Sequence, residues 1–86
     1  MVKLLIVDDD TFEISCIRKY IDWALIGVEI VGEAMNGAQG LMKVMELKPD
    51  IVLTDVKMPV MDGIEMSRKI RNVAPEMKII FLSSYD

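Results

Sequence analysis

Histidine is absent from this chain of 86 residues, and cysteine occurs once, at position 16. The absence of histidine excludes Ser-His-Asp and Cys-His catalysis within these residues, and it excludes histidine-ligated zinc. A single cysteine cannot form an internal disulfide or supply the several thiolates of a zinc cage. We therefore expect Cys16 to be a small buried apolar residue on a helix, and we expect the protein to be cytoplasmic, where thiols stay reduced.

A long apolar run and an excess of positive charge are also missing. No apolar run approaches the roughly 20 residues of a membrane span, and Met1 leads directly into strand-like sequence, so we expect no membrane contact and no signal peptide. The formal net charge is −4, which argues against nucleic-acid contact by this segment itself. A chain that is 52 % hydrophobic and 28 % charged is typical of one small globular domain.

What the sequence does contain is an alternation of apolar runs and amphipathic segments. Four apolar runs predict strands, at residues 2–7, 28–31, 51–55 and 77–82. The segments between them predict three helices, with Asp10, Asn36 and Asp62 as N-caps and with Glu13 and Glu65 completing capping-box patterns. The element order βαβαβαβ predicts an α/β fold with a parallel sheet and right-handed crossovers.

Apolar residues at helical spacing predict which side of each helix faces the core. In the first helix these are Ile14, Ile17 and Ile21, widened by Phe12, Cys16 and Tyr20. In the second they are Ala38, Leu41, Met42 and Met45, and in the third Met66, Ile70, Val73 and Ala74. The eight methionines are expected to fill gaps in the core, and Trp23 is expected to anchor the loop after the first helix.

Acidic residues stand at the ends of two of the predicted strands. Asp8 and Asp9 follow the first strand, and Asp55 ends the third. If these strands are parallel neighbours, the three carboxylates converge at one edge of the sheet, where α/β proteins bind ligands. Such a cluster is relieved by a hard cation with oxygen ligands, of which Mg²⁺ is the obvious choice. The simpler interpretation, that these acids only cap helices, is disfavoured because Asp10 and Asp62 already occupy the caps.

Taken in order, these residues resemble the receiver domain of two-component response regulators. The resemblance is carried by Asp8-Asp9 and by residues 53–59, 61–63 and 79–84. Residues 21–23 and 31–37 are similar to those of receivers attached to AraC-type DNA-binding domains. The resemblance implies a flavodoxin-like parallel sheet with strand order 2-1-3-4.

The resemblance also implies a role for each matching residue. Asp55 would be the phosphoacceptor, and Ser83 would contact the phosphoryl oxygens. Asp8, Asp9 and Asp55 would bind Mg²⁺ together with the backbone carbonyl of Lys57. Because the chain has no histidine, the phosphohistidine donor would lie on a partner, a sensor histidine kinase. The chain itself is expected to be no enzyme, and its phosphorylation would control a transcription-regulating output domain absent from these residues.

Receivers have five strands and five helices, whereas this chain matches them only through strand four. Residues 1–86 are therefore expected to be the N-terminal part of a receiver, lacking helix four, strand five and helix five. The lysine that ends strand five is then missing as well. Lys78 cannot replace it because it lies five residues, or roughly 16 Å, from Ser83 along a strand. The side chain of Lys57 is expected to point outward, away from the acceptor.

Without strand five, the outer edge of strand four is uncovered, so we expect a homodimer or other self-association through that edge.

Two other interpretations stay open at this point. The chain could be a non-phosphorylating assembly module or an engineered receiver fragment that self-associates. Continuation of the reading frame past Asp86 with a strand ending in Lys-Pro would argue against this. A carboxylate-based phosphatase is disfavoured, because its second acid would be followed by small residues in a loop, whereas Asp10-Thr11-Phe12 leads straight into a helix.

Overall fold

The computed structural model describes residues 1–82 as a four-stranded sheet flanked by three helices. The elements are β1 (Val2–Val7), α1 (Thr11–Tyr20), β2 (Val28–Ala34), α2 (Gly37–Leu47), β3 (Ile51–Asp55), α3 (Gly63–Val73) and β4 (Lys78–Leu82). All paired strands are parallel and their order is β2-β1-β3-β4. The element order and the strand order 2-1-3-4 predicted from the sequence are confirmed.

Strand β2 is three residues longer than its sequence predicted, because Gly32 and Glu33 interrupt its apolar pattern. These two residues nevertheless pair with Leu5 and Ile6 of β1, after a shift in register between Leu4 and Leu5. Strand β4 begins at Lys78 rather than at residue 77. The sheet therefore extends further toward its carboxyl edge than the apolar runs indicated.

The three predicted helix caps are confirmed. The side chains of Asp10, Asn36 and Asp62 each accept backbone N–H groups from residues two or three positions further along. Helix α2 ends at Leu47 and is capped by Lys48, whose φ of 49° is left-handed; Pro49 follows. None of the helices in residues 1–82 has the length and apolar character needed to span a bilayer.

A hydrophobic core lies on each face of the sheet. Helices α2 and α3 cover the larger core, whose buried residues are Leu5, Val7, Ala34, Val44, Val52, Met66, Ile70 and Met77. Helix α1 covers the smaller one, formed by Leu4, Ile6, Ile14 and Leu53. Trp23 packs against this smaller core and donates its Nε1–H to the carbonyl of Ile17 at 2.9 Å. Its predicted role as a packing anchor is confirmed.

The predicted apolar face of α2 is partly wrong: Ala38 is half-buried and Leu41 packs against the larger core, but the two methionines do not. Met42 and Met45 are 69 % and 60 % exposed, whereas Gly37, Gly40 and Val44 are buried. The helix packs through its glycines: a Cβ at position 40 would lie 2.5 Å from the Met66 sulfur. The face was misassigned because glycine carries no apolar side chain and adds nothing to a hydrophobic pattern.

The predicted faces of the other two helices are partly wrong. Phe12 and Tyr20 are both exposed. Phe12 stands two positions before Ile14, which places it on nearly the opposite side of a helix with about 3.6 residues per turn. Cys16 is half-buried rather than buried. Ile21 and Val73, which stand at helix ends, are also exposed. Not all methionines fill the core either, since three of them are exposed: Met1, Met42 and Met45.

Candidate acidic site at the sheet edge

The three predicted acids meet at the carboxyl edge of the sheet. Strands β1 and β3 are neighbours, with Val7 opposite Thr54, so the residues that follow them emerge side by side. Carboxylate oxygens of Asp8, Asp9 and Asp55 all lie within 4.8 Å of one another. The convergence expected from the sequence is present, and the same oxygens are the ligand type that hard divalent cations take.

Asp8 is the buried member of this cluster. Its backbone N–H donates to the carbonyl of Ala34 at 2.9 Å, and its Oδ1 accepts the N–H of Asp10 at 2.9 Å. Its Oδ2 is buried and has no hydrogen-bond partner among residues 1–82. A buried carboxylate oxygen without a donor is costly unless a proton or a cation satisfies it. The site therefore fits a bound cation on its own chemistry.

Glu13 lies near this cluster, although sequence reasoning had assigned its carboxyl group to a helix cap. The capping-box pattern predicts that Glu13 accepts the N–H of Asp10, but that N–H donates to Asp8 instead. A hydrogen bond to Asp8, then burial, and then the negative charges of Asp8, Asp55 and Asp10 raise the pKa of Glu13 to about 7. The sequence signal for this contact is a carboxylate in the first turn of the helix that follows Asp8 and Asp9.

Asp55 is held at the end of β3 by short-range contacts. Its Oδ1 accepts the N–H of Val56 at 2.8 Å, which orients the carboxylate. The Gly63 N–H donates to the Val56 carbonyl at 2.8 Å, and a Cβ at position 63 would lie only 2.3 Å from the Asp55 carbonyl oxygen. The first residue of helix α3, Gly63, therefore packs directly against the backbone of Asp55. Only glycine fits at this position, because any Cβ would collide with the Asp55 carbonyl.

The loop from Val56 to Asp62 follows Asp55, and backbone hydrogen bonds hold both of its ends. Met61 donates its N–H to the Pro59 carbonyl, and its own carbonyl accepts the N–H of Gly37, both at 2.8 Å. Between them Val60 has a φ of 71°, which makes the turn a γ-turn of the rarer, positive-φ kind. Lys57, whose carbonyl is a predicted ligand, is exposed in this loop. Ser83, the predicted phosphoryl contact, lies outside the described residues.

Comparison with known sequences identifies a family. A model of the response regulator receiver domain matches residues 4–86. The chain is 38 % identical over 85 residues to the uncharacterized transcriptional regulatory protein YesN of Bacillus subtilis (strain 168), covering 99 % of this chain and 23 % of that protein. It is 43 % identical over 82 residues to the chemotaxis protein CheY of Thermotoga maritima, covering 95 % of this chain and 67 % of that protein.

Comparison with solved structures gives the same answer. The chain matches the REC domain of AraT, a response regulator from Geobacillus stearothermophilus, with a TM-score of 0.92 at 34 % identity, covering 100 % of this chain and 67 % of that one. Relatives such as YesN are much longer, since the chain spans 23 % of its length. The resemblance stated from the sequence is confirmed, and this chain belongs to the family of response regulator receiver domains, which are signalling modules with a flavodoxin-like fold.

Proposed function

We propose that Asp55 accepts a phosphoryl group from a phosphohistidine of a partner sensor kinase, in a Mg²⁺-dependent reaction. The observation that carries this proposal is the meeting of three carboxylates within 4.8 Å, one of them with a buried oxygen that has no partner among residues 1–82. These residues contain no histidine, so the donor lies outside them.

The ligands proposed for Mg²⁺ are the carboxylates of Asp8, Asp9 and Asp55 and the backbone carbonyl of Lys57. The bound ion would neutralise the mutual repulsion of the carboxylates and the charge on the phosphoryl oxygens. Phosphoryl transfer depends mainly on such positioning and charge compensation, and little on covalent activation by the protein.

Asp55 is the nucleophile of the proposed step. A carboxylate oxygen of Asp55 attacks phosphorus in line with the leaving imidazole nitrogen. A P–O bond forms as the P–N bond breaks, and the electron pair of the P–N bond stays on the imidazole nitrogen. The Val56 N–H on Oδ1 keeps the carboxylate oriented during attack, and we propose that Ser83 contacts the transferred phosphoryl oxygens.

The consequence of phosphorylation is proposed from the relatives. YesN is named as a transcriptional regulatory protein, so we propose that the phosphorylated chain controls a transcription-regulating output domain that lies outside these residues. The segment itself would act in the cytoplasm as a signalling module and not as an enzyme. Its net charge of −4 favours protein partners over nucleic acid.

Intact mass after treatment with acetyl phosphate tests the proposal. With Mg²⁺ present we expect the protein to gain one phosphoryl group only slowly, because these residues lack the lysine that ends strand five in receivers and stabilises charge on the transferred group. We expect Asp55→Asn and chelation of the metal to abolish the gain. Glu46→Gln, which neutralises an exposed carboxylate on α2, is the matched control and should be labelled as the wild type is. A phosphoryl group retained in Asp55→Asn, or no labelling after prolonged incubation, would refute the proposal.

A second candidate function, self-association through the edge of strand β4, is favoured by the exposure of that strand. Ile80 is 51 % and Phe81 38 % exposed, although their sequence predicts a central strand covered on both faces. Exposed apolar strands recruit other chains. Light scattering over a concentration series should show dimers or larger species that Phe81→Lys reduces. A monomer at high micromolar concentration would contradict this candidate.

A further inference from the structure

A cleft opens at the amino edge of the sheet, at the opposite end of the strands from the acidic site. It lies where the carboxyl ends of α2 and α3 meet the first residues of β1, β3 and β4, and its volume is about 840 Å³. Strand β3 runs from Ile51 at the cleft to Asp55 in the acidic site, so the two places are roughly 13 Å apart along that strand. The proposed phosphotransfer therefore makes no use of the cleft.

The lining of the cleft is suited to a small apolar molecule. Apolar residues from two helices and two strands line it: Val2, Val44, Met45, Ile51, Val73 and Met77. Clefts of roughly 300–1,000 Å³ with mostly apolar walls and a few polar groups are where proteins usually bind small molecules. The size and the lining of this cleft both fall within that description.

Two of the lining residues are apolar without being covered by the fold. Met45 in α2 and Val73 in α3 belong to helical patterns that predict core positions, yet they are 60 % and 56 % exposed. Both residues line the cleft. An apolar ligand in the cleft would remove their side chains from water without any change of fold, and burial of apolar surface is the main source of affinity for such a ligand.

The charged residues of the cleft indicate the charge of the ligand. They are Lys48, Lys78, Asp50 and Glu76. Asp50 is already engaged, since its Oδ2 accepts the backbone N–H of Lys3 at 2.8 Å. Neither Lys48 nor Lys78 forms an ion pair with another of the residues 1–82. Two ammonium groups therefore face one carboxylate that is not otherwise engaged, which favours an anionic ligand although the whole chain carries a net charge of −4.

We propose that this cleft binds a small amphipathic acid, that is, a molecule with an apolar body and one carboxylate. The body packs against Met45 and Val73, and the carboxylate pairs with the ammonium group of Lys48 or Lys78. Binding requires neither a cation at the acidic site nor phosphorylation of Asp55, so the inference is independent of the proposed function.

Decanoate, kept below its micelle concentration, is the probe that tests the proposal. Decyltrimethylammonium has the same decyl chain with the opposite charge and serves as its counterpart. Two-dimensional NMR spectra of the ¹⁵N-labelled protein locate the bound probe. We expect decanoate to shift the amide signals of Val44, Ala74 and Met77, and to bind at least about fivefold more tightly than the ammonium compound, because the ion pair with a lysine is replaced by repulsion.

Two matched pairs of variants test the lining. Met45→Gln is paired with Met42→Gln, since both methionines are exposed on α2 but only Met45 lines the cleft. Met45→Gln should weaken decanoate binding by about fivefold or more through loss of apolar contact, while Met42→Gln binds as the wild type does. Lys78→Gln should weaken it by about two- to fivefold. Its control is Lys69→Gln, which alters an exposed lysine of α3 outside the cleft and should change nothing.

Three results would overturn the proposal. Decanoate that leaves the amide signals around the cleft unshifted, or that shifts only those of the exposed strand β4, would refute the site. Equal effects of Met45→Gln and Met42→Gln would refute it as well. Binding of the ammonium compound as tight as that of decanoate would refute the choice of an acid. Circular dichroism shows whether each variant is folded.

Discussion

Replacement of Val60 by glycine is expected to stabilise this protein. Val60 has a φ of 71° at the centre of the γ-turn between Pro59 and Met61, a conformation that is strained for any residue with a Cβ and most of all for a β-branched one. Its side chain is 84 % exposed, so removing it forfeits little burial. The strain therefore has no compensating contact in the described structure.

The size of the effect follows from two opposing terms. Relief of a left-handed φ at a non-glycine residue contributes roughly 1–3 kcal/mol. Glycine also gives the unfolded chain greater conformational freedom, which lowers the free energy of unfolding by roughly 0.5–1 kcal/mol. The net gain is about 1 kcal/mol, which raises the Tm of a domain of this size by roughly 4–8 °C.

Thermal unfolding followed by circular dichroism measures this gain, and Val73→Gly is the control. Val73 is also exposed but ends helix α3, where glycine is less favourable than valine by a few tenths of a kcal/mol or more. The same chemical change should therefore raise the Tm at position 60 and lower it at position 73. A Tm for Val60→Gly that is equal to or below that of the wild type would refute the reasoning.

Three further predictions concern the acidic site and its surroundings. Gly63→Ala should lower the Tm by an amount equivalent to about 1–3 kcal/mol, despite the better helix propensity of alanine, because its Cβ would meet the Asp55 carbonyl oxygen at 2.3 Å. Mg²⁺ at a hundredfold excess over its Kd should stabilise the wild type by about 2.7 kcal/mol, with Asp9→Ala abolishing the shift in Tm and Glu46→Ala preserving it. In chelator, stability should fall as the pH rises from 4.5 to about 7, because folding raises the pKa of Glu13 over that window and the native state then binds more protons than the unfolded chain. Glu13→Gln should flatten this dependence, and an unchanged pH profile in that variant would contradict the assignment.

The sequence was most informative where one residue type decides the local structure. Asp10, Asn36 and Asp62 cap helices because their side chains reach the N–H groups two or three residues ahead. Apolar runs likewise predict the strands, and parallel pairing then brings Asp8 and Asp55 to one edge without further information.

Prediction failed where the backbone or a competing partner decides the structure. The face of α2 depends on how closely Gly40 approaches Met66, which a count of apolar side chains cannot register. The capping-box pattern assigned the Glu13 carboxyl to the N–H of Asp10, but that N–H donates to Asp8. The positive φ of Val60 has no local signal at all, since valine is among the residues least suited to it.

Asp8 connects the stability of the fold to the chemistry of the site. Its Oδ1 accepts the Asp10 N–H, and Asp10 in turn caps α1, so the turn from β1 into α1 depends on a carboxylate that also belongs to the site. Its Oδ2, in contrast, is buried without a partner among residues 1–82. One oxygen of Asp8 therefore stabilises the fold, while the other destabilises it until a proton or a cation arrives.

Asp8→Asn should separate these two contributions. The amide oxygen can still accept the Asp10 N–H, and the amide nitrogen can donate to the Glu13 carboxylate where Asp8 now contacts it. In chelator at about pH 8 we expect the variant to be more stable than the wild type, because removing an uncompensated buried charge contributes roughly 1–3 kcal/mol. The stabilisation of the wild type by Mg²⁺ should be lost at the same time. A variant less stable than the wild type in chelator would show that Asp8 Oδ2 already has a hydrogen-bond partner in the metal-free protein. The argument that this oxygen needs a cation would then be wrong.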